Sequence, residues 1–237
     1  MYDLPFLRWL WRSGKEVDVL SDLDLRAVTS GARLRQAYDL IVFPGHHEYV
    51  TAQEYDVLTG YRNRGGSLMF LSANNFFYRV DYRGDRMTRV AKWRELGRPE
   101  AALIGTQYIA NDRGEHRRGF VVRATPASDW MFAGTGLEPG ATFGSFGIEI
   151  DRKARASPPG TQVVAEIPNL FGRGLTAQMT YYQHRSGARV FAAGAFTLGG
   201  SALHGPVPRM LENLWSHLLR EIPPPEVEPP PTEPAAR

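Results

Sequence analysis

Two short apolar runs, Asp39–Phe43 and Ser67–Leu71, flank a segment with helical spacing, and the elements they predict organise the rest of the chain. Each run reads as a strand buried on both faces of a parallel sheet. Between them, Thr51 and Glu54 stand at capping-box spacing, and Val50 and Tyr55 flank the cap as a hydrophobic staple. Tyr55, Leu58 and Tyr61 then share one helical face, and Gly65-Gly66 supplies a left-handed stop. A right-handed crossover makes the two strands parallel and adjacent, so their outgoing loops, Pro44–Val50 and Ser72–Val80, open on one rim. Ligands of open α/β sheets bind at that rim.

The remaining pattern is less regular. Asp3, Pro5 and Gly14 read as cap, first-turn proline and terminal glycine of a helix carrying Phe6, Leu7, Trp9 and Leu10. Val17–Leu20 is a strand candidate ending at Ser21-Asp22. No strand precedes the first helix, so we expect a sheet edge that is missing or supplied by another segment. From Leu103 to Phe196 short alternating runs dominate: Leu103–Ile109, Gly119–Arg123, Phe146–Asp151, Gln162–Ile167, Ala177–Tyr182 and Arg189–Ala193. This half is predicted to be strand-rich and largely antiparallel, with Arg189–Ala193 returning to the main sheet. Pro206 and Pro208 open an amphipathic helix carrying Val207, Met210, Leu211, Leu214 and Leu218. The expectation is one α/β domain over residues 1–222, a mostly parallel doubly wound sheet with a partly antiparallel second half. Residues 223–237 form a proline-rich acidic tail expected to be disordered.

Composition narrows the function classes. With 237 residues, 43% of them hydrophobic, the chain can bury a large core. No apolar run spans a bilayer and no signal-peptide pattern is present, so a cytoplasmic protein without a membrane partner is expected. The chain has no cysteine, which excludes disulfides, thiolate zinc sites and a thiol nucleophile. Basic side chains exceed acidic ones by only three, nearly all of them arginine. The arginine-dense stretch Tyr82–Arg98 therefore reads as a solvated loop or helix face, and nucleic acid is not an expected partner. Gly194–Ser201 has phosphate-loop spacing but Gly200 where lysine is needed, so no nucleotide site is expected there.

His46, His47, Glu48 and Tyr49 follow the first buried strand without a break. A plain turn would use Gly, Ser or Asp, so a functional role for at least one of the four competes with simple backbone satisfaction. In Phe146–Asp151, period-two alternation places Phe146, Ile148 and Ile150 on one face and Glu149 and Asp151 on the other. By pattern alone Glu149 is a solvated strand residue.

Several of these motifs together resemble the C-terminal domain of the N,N-dimethylformamidase large (beta) subunit. They are Gly-His-x-Glu-Tyr49, Gly-Gly-x-Leu-Met-Phe-Leu71, Ala-Asn-x-Phe76, Ser128-Asp-Trp-Met-Phe-x-Gly-Thr-Gly-Leu137, Gly-Ile-Glu-Ile-Asp151 and Val-Phe-Ala-Ala-Gly194. The likeness runs from about Tyr2 to Leu219. It implies a class I glutamine amidotransferase-like fold and a mononuclear ferric (Fe3+) site of two tyrosinates and one glutamate that hydrolyses a small amide. Tyr49 falls on the first family tyrosine and Glu149 on the glutamate. Aligned on Asn74 and Arg79, the second tyrosine becomes Phe77, with Tyr78 the nearest phenol and Tyr82 the next. The expected site is thus Tyr49, Tyr78 and Glu149 on iron, His46 or His47 as the proton carrier with Glu48 beside them among the catalytic candidates, and Asn74 for the developing oxyanion. The alternative is a degenerate, metal-free member that binds a ligand or protein. Another chain completing the sheet, or a second copy, is the expected macromolecular partner.

Overall fold

In the computed structural model, which describes residues 3–219, the chain opens with helix α1 (Leu4–Arg12). Asp3 occupies the cap position but makes no side-chain cap bond. Its carboxylate lies instead against Gly45, where an added Cβ would stand 2.0 Å from Oδ1. That close approach sets the start of α1 against the rim. Val17–Leu20 forms no strand. Ser21 and Asp24 make a capping box that turns the chain directly into α2 (Asp22–Ala27), and Val17, Val19 and Leu20 remain exposed. Ser30 caps a further short helix, α3 (Gly31–Ala37). The apolar pattern announced neither helix, because α2 and α3 bury only Leu25, Gly31 and Leu34.

The crossover unit is as expected. β1 (Leu40–Phe43) is followed by the two-residue β2 (Tyr49–Val50), by α4 (Ala52–Arg62) and by β3 (Ser67–Phe70). β1 and β3 are parallel neighbours, Leu40 facing Ser67 and Phe43 facing Phe70. Both halves of the predicted capping box close: Glu54 N–H donates to Thr51 Oγ1 at 3.2 Å, and Thr51 N–H to Glu54 Oε2 at 2.6 Å.

After β3 come β4 (Tyr78–Arg83), β5 (Arg86–Lys92), α5 (Ala101–Ile104), β6 (Gln107–Asn111), β7 (Arg117–Val122) and β8 (Thr142–Gly147). They are followed by β9 (Glu149–Arg152), β10 (Gln162–Ile167), β11 (Ala177–Gln183), β12 (Arg189–Ala192) and α6 (Val207–Leu219). The main sheet has seven strands in the order β1-β3-β12-β11-β10-β7-β8. β12 does return to pair parallel with β3. Only β1, β3 and β12 are mutually parallel, however; every other neighbour pair is antiparallel, so the sheet is mixed rather than mostly parallel. The hydrophobic core lies on both faces. Leu68 and Phe70 pack with residues of α2 to α5, whereas Met69 and Leu71 pack with α1 and α6. Two covered faces account for the unbroken apolar runs in the sequence.

Several predicted elements are redrawn. The arginine-dense stretch is a hairpin, β4 and β5, turned at Gly84 with φ 58°. Leu103–Ile109 is half helix: α5 ends at Gly105 and β6 starts at Gln107. Phe146–Asp151 is two strands, broken where Ile148 takes φ 71°. β8 stays with the main sheet while β9 pairs with β6, so Glu149 and Asp151 leave the sheet they seemed to belong to. The proline-rich tail lies outside the described residues.

Candidate functional site

The loops leaving β1 and β3 meet on one rim, as the crossover requires. They are zipped together: Phe76 N–H donates to His47 O at 2.8 Å, and Tyr78 N–H to Glu48 O at 2.9 Å. β2 and β4 extend this seam in parallel, Tyr49 facing Tyr78. The third parallel strand sends its own loop, residues 193–198, to the same rim, and this loop captures β9. Asp151 N–H donates to Gly194 O at 2.9 Å and Phe196 N–H to Glu149 O at 3.0 Å. Glu149 reaches the His-His-Glu-Tyr loop in this way, from a hundred residues downstream in the chain.

His46 is the meeting point. Its Nε2 stands 3.1 Å from Glu149 Oε2 and 3.7 Å from Glu48 Oε2, with the Phe196 ring edge-on at 5.0 Å. Burial alone would push the imidazole down, but the hydrogen bond and charge of Glu149, with the charge of Glu48, outweigh it and raise its pKa above the ordinary 6.5. Burial likewise raises the Glu48 carboxyl, opposed by His46 and by hydrogen bonds from Tyr49 and Asn74. The Tyr49 phenol is raised by burial and by its contact with Glu48. His46, Glu48, Tyr49 and Glu149 therefore form one cluster of ionisable groups, the first three from a single loop.

His47 points the other way. Its ring packs among Phe43 and Phe76, 4.9 and 5.5 Å away, and its Nδ1 lies 3.5 Å from Asp22. Burial holds its pKa below 6.5. Of the two histidines, His46 faces the acids and His47 anchors the loop.

Among the phenols, Tyr49 and Tyr78 stack at 5.8 Å and 11°, and the Arg89 guanidinium lies over Tyr78 at 4.5 Å. Tyr82 is drawn off under Arg26 at 3.9 Å, away from the acids. Phe77 is buried against Tyr108, 4.9 Å between rings. Tyr108 and Asp151 are the side chains the sequence reading passed over. Tyr108 faces Asp151 in the β6–β9 register, two positions along from Glu149. Burial and the charges of Glu149, Glu48 and Asp151 raise its phenol, against a hydrogen bond from Asn111. Asp151 is fully enclosed, and burial pushes its carboxyl up to about 7 despite the bond from Asn74 N–H. The signal for both was the pairing partner of the Glu149 strand, which alternation within one strand does not carry.

The donor set is rich in oxygen. Glu149 Oε2 is buried and receives no backbone, hydroxyl or amide donor. Among the described residues, no group of three or more His, Cys, Asp or Glu side chains is arranged to hold a metal by itself, so a cation here would need phenol oxygens as well. Carboxylate and phenol oxygens are donors of the kind that suit a hard cation such as ferric iron.

The sequence is similar to the N,N-dimethylformamidase beta subunit of an Alcaligenes species, 24% identical over 289 aligned positions covering 95% of this chain and 37% of that protein. It is also similar to the N,N-dimethylformamidase beta subunit of Paracoccus aminophilus, 27% identical over 147 positions covering 62% of this chain and 18% of that protein. The chain thus spans little more than a third of the longer match. Residues 1–205 match the family described as N,N-dimethylformamidase beta subunit-like, C-terminal, and with the rim geometry above this chain belongs to that family.

Proposed function

We propose that this chain hydrolyses small amides of the formamide type at the rim where His46, Glu48, Tyr49, Asn74 and Glu149 meet. The observation that carries the reading is His46 held between Glu149 and Glu48 at 3.1 and 3.7 Å. An imidazole with a raised pKa between two carboxylates keeps a proton near neutrality, which an amine leaving group needs. Glu48, also raised, takes the proton of the attacking water. The Asn74 amide, on the loop zipped to Glu48, is the neutral donor offered to the developing oxyanion. Tyr49, Glu149 and a second phenol, Tyr78 in the first instance, would hold a ferric ion, which when bound would polarise the carbonyl and acidify water. The glutamine amidotransferase-like ancestry of the parallel β1-β3-β12 core belongs to the same reading.

Iron content and the visible spectrum of protein purified without chelators test it. Near-stoichiometric iron with a phenolate charge-transfer band, lost in Tyr49→Phe, together with turnover of small formamides, is the expected result. Folded protein that refuses added iron and turns over no amide would sink it. Such protein would act instead as a metal-free binding domain, a reading for which buried Phe77 in place of a phenol speaks.

A further inference from the structure

Asn74 has φ 56° and Phe76 φ 58°, so the loop after β3 passes twice through left-handed backbone without a glycine. Asparagine tolerates that region and phenylalanine does not, so a loop of this shape persists only where its surroundings hold it. One contact does so across 77 residues of sequence: the Asn74 N–H donates to Asp151 Oδ1 at 2.9 Å, both groups buried. Asp151 is in turn held at both ends. Thr106 Oγ1 donates to its Oδ2 at 3.4 Å, and its own N–H donates to Gly194 O. A buried carboxyl is a costly way to accept one N–H. At this position the cost is spent on a loop whose Phe76 and Tyr78 N–H groups are bonded to His47 O and Glu48 O.

We propose that Asp151 is a positioning residue of the rim: it clamps the left-handed Asn74 turn and so holds the loop zipped to His47 and Glu48. Asp151 touches neither His46 nor Tyr49 in the contacts above and acts through Asn74. The catalytic consequence rests on the amide-hydrolase reading; the clamp itself does not.

The test compares Asp151→Ala with Asp151→Asn. The asparagine keeps an oxygen for the Asn74 N–H and can donate to Thr106, so it should preserve the turn. In 15N NMR of the wild-type chain, the backbone N–H groups of Asn74, Phe76 and Tyr78 should exchange only with global unfolding. In Asp151→Ala the Phe76 and Tyr78 N–H groups should exchange well before global unfolding, and Asp151→Asn should restore their protection. Turnover of a small formamide should follow the same order, with kcat falling roughly 10²-fold in Asp151→Ala at little-changed KM. Full protection of the Phe76 and Tyr78 N–H groups in folded Asp151→Ala would overturn the proposal, and so would an Asp151→Asn variant that fails to restore it. If Asp151→Ala does not fold, rapid exchange of the wild-type Asn74 backbone N–H would overturn it, and exchange at the global rate would support it. A wild-type chain that turns over no amide removes the hydrolase reading, while the NMR signals still decide the clamp.

Discussion

Gly194 joins the parallel core to the strand that carries Glu149, and replacing it with alanine should be unusually costly. It is buried with φ 67°, and its carbonyl accepts the Asp151 N–H. Two penalties add in Gly194→Ala. An L residue in left-handed backbone costs roughly 1–2 kcal/mol. The new Cβ would also stand 1.9 Å from Gln178 O and 2.6 Å from Gln178 C. These atoms belong to β11, in the middle of the sheet, so neither can swing aside as a flexible side chain would. Forcing backbone apart in a packed interior costs about 1–3 kcal/mol more, for a total of about 2–5 kcal/mol against the roughly 5–15 kcal/mol typical of a domain. Gly160 provides the control. It has φ 77° and nothing within 4 Å of its added Cβ, so Gly160→Ala should cost only the first part. Urea unfolding of both variants, compared at equal m-value, reads the difference from the midpoints. Gly194→Ala should be lower than Gly160→Ala by about 1–3 kcal/mol. Equal losses would refute the argument that the approach of Gly194 to β11 sets the cost.

Thr51→Ala removes the side-chain acceptor of the α4 capping box and should lower stability by about 0.5–2 kcal/mol; a thermal midpoint unchanged within error would show that the cap contributes nothing. His47 has a folded pKa below its ordinary 6.5, so the unfolded chain takes up the proton first and the folded state loses stability as pH falls through that value. The wild-type unfolding midpoint should therefore fall relative to that of His47→Gln between about pH 7 and pH 5; parallel curves would mean that His47 is not buried neutral.

Much of the rim was legible in the chain itself. The Asp39–Phe43 and Ser67–Leu71 runs, the Thr51–Glu54 cap and the Gly65-Gly66 stop are local signals, each acting within a few residues. They were enough to predict that the loops carrying His46–Tyr49 and Asn74–Tyr78 face each other, and the bonds Phe76 to His47 and Tyr78 to Glu48 join them. The α6 helix was legible for the same reason: its buried residues, Val207, Met210, Leu211, Leu214 and Leu218, recur at helical spacing.

Long-range pairing is where the sequence stopped and the tertiary structure decided. Alternation across Phe146–Asp151 did not carry through: a left-handed Ile148 separates β8 from β9, Ile150 and Asp151 are both buried, and no local rule puts a branched residue at the break. The capture of β9 by the 193–198 loop, through backbone groups common to every residue, is what brings Glu149 to His46 and Asp151 to Asn74. The direction of His46 and His47 was settled in the same way. Adjacent and chemically identical, they differ only in what the fold packs around them: two carboxylates about the first, and an aromatic cluster with Asp22 about the second. Side-chain type determines which chemistry a chain can hold, and backbone pairing over long sequence distances determines which of those side chains meet.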